Sequence, residues 1–129
     1  MLPAQHRLTR GDDLRRVSRA GRRSGGPLLV VHALVGDADP AVQNPPRIGF
    51  VVSRAVGSSV VRHRVQRRLR HLCRERLQRL PPGAEVVVRA LAPAGGATYQ
   101  ELGAELDRCL ERALADRHGN STPGRGTVS

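Results

Sequence analysis

Residues 58–80 carry an amphipathic pattern that predicts a long helix with one buried face. Apolar side chains recur at three- and four-residue steps, as they do along one side of an α-helix. Either Ser58 or Ser59 can cap the start of this helix, and Pro81-Pro82-Gly83 ends it. The apolar positions are Val61, Val65, Leu69, Leu72, Cys73, Leu77 and Leu80. Such a helix needs an apolar surface to pack on, which the rest of the chain must supply.

Three short apolar segments have the length and composition of strands that could form this surface. They are residues 28–34, 48–53 and 85–91, and each is rich in valine, leucine or isoleucine. Residues 36–46 hold three prolines and two aspartates, which is typical of a loop, although the loop is long enough to contain a fourth short strand. We therefore expect one sheet of three or four strands.

One further helix is predicted before the first of these segments in the sequence, and another after the last of them. Asp12 or Asp13 can cap the first helix, and Thr98 with Glu101 has the spacing of a capping box for the last. The inward-facing side chains would be Leu14 and Val17 in the first helix and Leu102, Leu106, Leu110 and Leu114 in the last. The order helix, strand, strand, helix, strand, helix predicts an α+β fold, a small α/β sandwich. Residues 1–118 form one domain in this interpretation, and the Gly-, Ser-, Thr- and Pro-containing residues 119–129 form a disordered tail.

Positive charge is concentrated in the middle of the chain. The 129 residues include 22 arginines, no lysine and 11 acidic residues, for a net charge of +11. Between Ala41 and Ala84 there are ten arginines and a single acid, Glu75. A solvated helix face in an arginine-rich proteome would explain arginine in place of lysine, but it does not explain the missing acids. The charge therefore predicts a polyanionic partner.

The long central helix carries most of this charge on the face opposite its apolar stripe. The arginines expected on that face are Arg64, Arg67, Arg68, Arg70 and Arg74, with Arg62, Arg76 and Arg79 at its margins. Like charges one turn apart oppose helix formation, whereas contacts with phosphates release counterions and favour binding. No second helix follows after a short turn and zinc-finger spacing is absent, so the pattern favours RNA over DNA. A membrane-surface helix is disfavoured because the apolar face holds no Trp or Phe and is needed by the core.

Groups that could cleave a phosphodiester bond do not come together in the sequence. Asp12 and Asp13 are neighbours, and neighbours on a helix point about 100° apart. The five histidines are scattered, and Cys73 and Cys109 fit core positions better than a zinc site. The chain has no apolar run of membrane-spanning length, and its N-terminus lacks the apolar stretch of a secretory signal. We therefore expect no catalytic residue and no metal ligand on the protein.

The segment Ser53 to Arg70, with the sequence SRAVGSSVVRHRVQRRLR, resembles the protein component of bacterial ribonuclease P. In that family a glycine turn leads into a helix that opens with Arg-Asn-Arg. The resemblance covers roughly residues 3–116. Residues 6–8 followed by 13–14 are similar to the opening segment, 47–53 to the second strand, 86–93 to the last strand and 98–99 to the start of the last helix. It implies a left-handed βαβ crossover, as in the second domain of ribosomal protein S5.

The resemblance also implies a function. A protein of this family assists a catalytic RNA in the magnesium-dependent removal of the 5′ leader from precursor tRNA, with Mg²⁺ bound mainly by the RNA. The implied RNA-binding residues are Arg54, Arg62, His63, Arg64, Arg67, Arg68 and Arg70. The leader would lie in a cleft between the sheet and the first helix, with Leu14, Ser18, His32 and Phe50 as the cleft residues.

Several residues depart from the family pattern. His63 stands where the family has the asparagine of Arg-Asn-Arg, Ser58 replaces an asparagine, and Gln66 replaces a lysine. Two aromatic positions of the first helix fall on Leu14 and Ser18. Stacking of a base on a ring contributes about 1–3 kcal/mol. Leader binding is therefore expected to depend more on charge, including His32 and Arg68, than on stacking.

The predicted partners are the ribonuclease P RNA and precursor tRNA, with one monomeric protein per RNA, no membrane partner and a cytoplasmic location. One alternative is a ribosomal or RNA-chaperone protein that binds RNA without affecting leader removal. A self-sufficient nuclease or DNA-binding protein is a second alternative. A cleavage assay with the protein alone, and then with the catalytic RNA at low magnesium, separates these functions.

Overall fold

A four-stranded mixed sheet forms the centre of the structure, a computed structural model that describes residues 4–35 and 45–115. In chain order the helices and strands are α1 (Gly11–Ala20), β1 (Arg22–Gly25), β2 (Leu29–Leu34), β3 (Arg47–Val52), α2 (Ser59–Glu75), β4 (Glu85–Ala90) and α3 (Tyr99–Ala115). Short 3-10 turns at Ala4–His6, Arg54–Val56, Leu77–Arg79 and Ala92–Gly96 connect them. This arrangement confirms the predicted α+β class.

The strand order across the sheet is β1-β2-β4-β3. β1 pairs with β2 and β2 with β4 in antiparallel fashion, whereas β3 and β4 are parallel neighbours joined through α2. Because β4 lies between β2 and β3, the two apolar strands that precede α2 in sequence are separated in space by the strand that follows it. The crossover therefore holds α2 against the β3 side of the sheet.

The two faces of the sheet carry different helices. α2 and α3 pack on one face over the main core, which includes Leu29, Val31, Val86 and Val88. α1 covers the other face, where a smaller cluster of Leu8, Val17 and Val87 is buried, with Leu14, Leu34 and Val51 packed against it. Alternate residues of β2 and β4 thus face opposite layers, as the pleat of a strand requires.

The fourth strand lies where the sequence pattern did not place it. It is β1, directly after α1, and not part of the loop at 36–46, of which residues 36–44 are outside the described residues. In β1 only Ser24 is buried, while Arg22, Arg23 and Gly25 are exposed. The pairing is made by backbone groups at a sheet edge, so an apolar alternation that would identify the strand is missing.

The helix ends agree with some of the predicted caps. The Ser58 hydroxyl accepts from Val61 N at 3.3 Å, and Thr98 and Glu101 form the reciprocal capping box. Asp12 and Asp13 are not caps. They lie inside the first turn of α1, where their carboxylates interact favourably with the positive end of the helix dipole. α2 ends at Glu75, earlier than predicted, and the apolar pattern continues in the turn Leu77–Arg79. The predicted tail, 119–129, lies outside the described residues.

A close approach of the backbone occurs at Gly49 of β3, beneath α1. A Cβ atom there would overlap the side chain of Leu14 and the carbonyl oxygen of Leu8. We expect Gly49→Ala to lower the free energy of unfolding by about 3 kcal/mol, because overpacking forces backbone shifts. Gly96→Ala is the control, since a Cβ there meets nothing within 4 Å. Urea unfolding measures both, and equal stabilities would contradict the packing described for α1.

Candidate nucleic-acid interface

The side of α2 that faces away from the core carries a row of guanidinium groups, here called the arginine face. Its members are Arg62, Arg64, Arg67, Arg68, Arg70 and Arg74, of which Arg64, Arg67 and Arg74 are exposed and the others half-buried. On the opposite side of α2, four residues are buried: Val65, Leu69, Leu72 and Cys73. Burial raises the pKa of the Cys73 thiol to about 12, so it stays protonated and unreactive in the core.

The charges of the arginine face are not neutralised by the chain in the part that the structure describes. Within residues 4–35 and 45–115, no carboxylate forms an ion pair with any of these six arginines. Arg64 and Arg68 instead donate to backbone carbonyls, of Gly95 at 3.4 Å and Ala97 at 3.1 Å. Each guanidinium has five N–H donors, so most of them remain available to a phosphate.

Arg76 and Arg79, beyond the end of α2, have a different role. Arg76 Nε donates to Asp107 Oδ1 at 2.5 Å, and Arg79 Nη1 donates to the same oxygen at 2.8 Å. These hydrogen bonds lower the pKa of Asp107 and raise the pKa of Arg76, with the Arg76–Asp107 bond as the largest cause of both shifts. The two arginines therefore join the end of α2 to α3 and are engaged within the protein.

A groove of about 740 Å³ runs along the arginine face to the start of α3. Its lining residues are Ser59, Val60, His63, Arg64, Arg67, Arg68, His71 and Tyr99. The structure thus brings four of the predicted RNA-binding residues together, namely His63, Arg64, Arg67 and Arg68. The charge pattern did not predict that the apolar side chains of Tyr99 and Val60 would also line this groove.

The other predicted RNA-binding residues lie around this groove. Arg54 is exposed in the turn between β3 and α2, and Arg62 is half-buried near the start of α2. Arg70 points to a separate pocket at the β3 edge, which it lines with Gln66, Phe50 and Leu14. The arginines of α2 therefore reach two neighbouring surfaces rather than one.

A second groove lies between α1 and the sheet, where the resemblance implies a cleft. Gly11, Leu14, Arg15, Ser18, Arg19, Val51 and Arg89 line it. Of the four predicted cleft residues, this groove contains Leu14 and Ser18. Phe50 packs partly against the main core and reaches the pocket at the β3 edge instead. Arg68, expected to add charge to the cleft, lies on α2 and donates to Ala97 O.

The charge of this second groove comes from arginines that the sequence interpretation did not select. Arg15 and Arg19 lie on α1, and Arg89 on β4. The alternation of β4 was the available signal, because Glu85, Val87 and Arg89 must share a face if Val86 and Val88 enter the main core. Charge rather than aromatic stacking is available to a ligand in this groove.

His32 is buried beneath α1, 7% exposed, and its Nδ1 has no hydrogen-bond partner among the described residues. Burial, followed by the charges of Arg89 and Arg23, lowers its pKa below the ordinary 6.5. The unfolded chain therefore binds a proton at His32 more readily than the folded protein does.

We accordingly expect the free energy of unfolding to fall as the pH drops below about 6.5, where His32 of the unfolded chain becomes protonated. The variant His32→Asn removes this contribution, so its stability should depend less on pH between 7 and 5. Urea unfolding of both proteins across that range measures the difference. Parallel pH profiles would show that His32 is not the responsible group.

The structure also bears on membrane and metal sites. No helix within residues 4–35 and 45–115 is long and apolar enough to cross a membrane. Those same residues contain no group of three or more His, Cys, Asp or Glu side chains placed to hold a metal ion.

Comparison with known proteins gives a consistent result. A family model described as Ribonuclease P matches residues 2–114. The ribonuclease P protein component of Streptomyces griseus is 56% identical over 118 residues, which cover 88% of this chain and 96% of that protein. The corresponding protein of a Nocardioides species is 53% identical over 119 residues, covering 92% of this chain and 100% of the relative.

Solved structures show the same fold. The RNase P protein of Staphylococcus aureus superimposes with a TM-score of 0.71 at 21% identity, covering 84% of this chain and 94% of that one. The RNase P protein of Thermotoga maritima, in complex with 1-(4-fluorophenyl)-2-thiourea, gives a TM-score of 0.69 at 21% identity, covering 81% of this chain and 97% of the other.

Proposed function

This chain belongs to the bacterial ribonuclease P protein family, and we propose that its arginine face is the surface that holds the ribonuclease P RNA. As a member it serves as the protein subunit of ribonuclease P in tRNA processing, in partnership with the RNA subunit. The observation that carries the proposal is the row of six arginines without a carboxylate partner in the described residues. Guanidinium groups bind phosphates through two parallel hydrogen bonds, and each contact releases counterions.

The substrate is proposed to be precursor tRNA, with its 5′ leader in the groove between α1 and the sheet. Arg19 and Arg89 provide positive charge there, Arg15 is ion-paired with Asp12, and Leu14 and Val51 provide apolar contact. A single-stranded leader can follow a basic groove by its phosphates even without aromatic rings. The protein would thus reduce the repulsion between two polyanions, the catalytic RNA and its substrate. One monomer per RNA is sufficient for this arrangement, which operates in the cytoplasm.

Magnesium is proposed to be held by the RNA. Residues 4–35 and 45–115 contain no group of three or more His, Cys, Asp or Glu side chains placed to hold a metal ion, whereas Mg²⁺ prefers oxygen ligands in octahedral geometry. Glu85 is bound by Arg16 and Arg47, and Asp107 by Arg76 and Arg79. The Arg16 hydrogen bond is the main cause that lowers the pKa of Glu85, so this carboxylate is committed to the fold. The protein side chains bind and orient RNA and take no part in bond cleavage.

The test is a cleavage assay with three arms: protein alone, ribonuclease P RNA alone, and both together at low magnesium. We expect leader removal only in the mixture, because the RNA supplies the active site and the protein supplies counter-charge. Cleavage by the protein alone would indicate a nuclease. Tight RNA binding without any increase in leader removal would favour a ribosomal or RNA-chaperone function.

A further inference from the structure

An exposed tyrosine ring at the start of α3 lies beside the arginine face, in the groove along α2. Tyr99 and Val60 are the large apolar side chains that remain exposed among the described residues, 39% and 73% respectively, and both line the groove along α2. A surface that only neutralised phosphates would have no use for a ring at this place. The ring therefore indicates a ligand that has an apolar part as well as a charge.

The ring of Tyr99 is held in position from one end. Its hydroxyl donates to Glu75 Oε1 at 3.3 Å, at the last turn of α2, and Thr98 with Glu101 fixes the backbone on either side through the capping box. Desolvation, followed by the charge of Glu75, raises the pKa of the Tyr99 hydroxyl, so it remains a donor at neutral pH. A ring held in advance loses little entropy when a ligand contacts it.

The groups around the ring define the chemistry of that ligand. His63 and His71 are exposed on the same side of α2, one on each side of Arg67. Arg64 and Arg68 are held over the segment Ala92–Ala97 by their bonds to its carbonyls. Tyrosine and histidine rings and guanidinium planes are the groups on which unpaired RNA bases stack, whereas the bases of a duplex are already stacked on each other.

We propose that this groove binds an unpaired nucleobase of the RNA partner, stacked on Tyr99, while Arg64, Arg67 and Arg68 bind the phosphates on either side of it. The inference rests on the proposed function and adds a structural preference to it. The arginine face alone would bind any RNA helix by its phosphates. With the groove, it would prefer a helix that carries a bulged or unpaired nucleotide next to the bound backbone.

Three RNA hairpins of equal length test this inference: one fully paired, one with a single bulged 2-aminopurine, and one with an abasic bulge at that position. The last keeps the flexible backbone and removes the base. We expect the 2-aminopurine hairpin to bind about tenfold more tightly than the other two, given the usual contribution of one stacked base. Emission of the 2-aminopurine should also be quenched in the complex.

Two variants assign the effect to the ring. Tyr99→Leu should bind all three hairpins with the affinity of the parent protein for the paired one, while Tyr99→Phe should keep the preference because it keeps the ring. The chain has one tyrosine and no tryptophan, so tyrosine emission of the parent protein reports on Tyr99 alone. That emission should fall with the 2-aminopurine hairpin and not with the abasic one.

The possible results separate this inference from the proposed function. Equal binding of the three hairpins, or a preference that survives in Tyr99→Leu, would overturn the base-binding groove and leave the arginine face as an RNA-binding surface. Failure of the protein to bind any of the hairpins would overturn both. Quenching of Tyr99 by an unrelated acidic peptide to the same extent would assign the groove to a protein partner.

Discussion

Replacing Arg64, Arg67 and Arg74 together by glutamine is expected to weaken binding of the ribonuclease P RNA by about 10²- to 10³-fold, at roughly tenfold per charge-assisted contact. These three are the exposed members of the arginine face, and none has a carboxylate partner in residues 4–35 and 45–115. Their removal should therefore leave the folded protein intact. It should take away contacts to phosphate and the counterion release that accompanies them.

Salt dependence identifies the nature of the lost contacts. The slope of log K against log salt concentration should become shallower by about one unit for each arginine that contacts a phosphate. Arg112→Gln is the matched control, because it removes the same charge from an exposed position on α3. The single variant Arg67→Gln should lower both the affinity and the slope. Arg112→Gln should change each of them by only a small fraction of that effect. Similar slopes for Arg67→Gln and the parent protein would exclude Arg67 from the interface.

Glu105→Ala is expected to lower the free energy of unfolding by about 3–4 kcal/mol, since it orphans hydrogen bonds to a buried charge. Glu105 is 1% exposed in α3, and its Oε2 accepts from both Leu28 N and Leu29 N at 2.6 Å. Its Oε1 accepts from Arg108 at 3.1 Å. The carboxylate thus fixes the turn that leads from β1 into β2 against α3. Gly26 lies directly against the carboxylate, where a Cβ would be too close.

Two further variants are controls for the stability change of Glu105→Ala. Glu105→Gln keeps an oxygen that can accept from the two backbone N–H groups, so it should lose roughly half as much stability as the alanine variant. Glu111→Ala changes an exposed carboxylate of the same helix and should stay within about 0.5 kcal/mol of the parent. Urea unfolding measures all three. A loss for Glu105→Ala no larger than that for Glu111→Ala would show that Glu105 does not hold the turn.

The apolar periodicity predicted most of the fold because it is a direct consequence of burial. The stripe from Val61 to Leu72 enters the main core together with Val86 and Val88 of β4. The caps at Ser58 and Thr98 follow from local hydrogen-bonding chemistry. The sequence pattern did not predict β1, because two adjacent arginines followed by a serine and a glycine carry no apolar alternation. The burial of Glu105 was not predicted either, because a charged residue within a helix is normally assigned to the solvent side.

The candidate site was predictable in its charge and less so in its shape. The scarcity of acidic residues around α2 predicted the arginine face. It did not predict how the residues of that face divide between the groove with Tyr99 and the pocket that holds Arg70 and Phe50. His32, Arg89 and Arg23 share one face of the sheet only because of the register between strands, which no local pattern specifies. The proximity of these three residues follows from the pairing of β2 with β1 and β4, which are distant in sequence from one another.

Directed hydroxyl-radical cleavage of the ribonuclease P RNA tests the central claim most directly. Iron-EDTA can be tethered to a cysteine introduced at Arg67 or, separately, at Arg112, because Cys73 and Cys109 are buried and will not react with the reagent. We predict localised strand cleavage from position 67 on the arginine face and little or none from position 112 on α3. Strong cleavage from position 112 with none from position 67 would show that the RNA binds another surface of the protein.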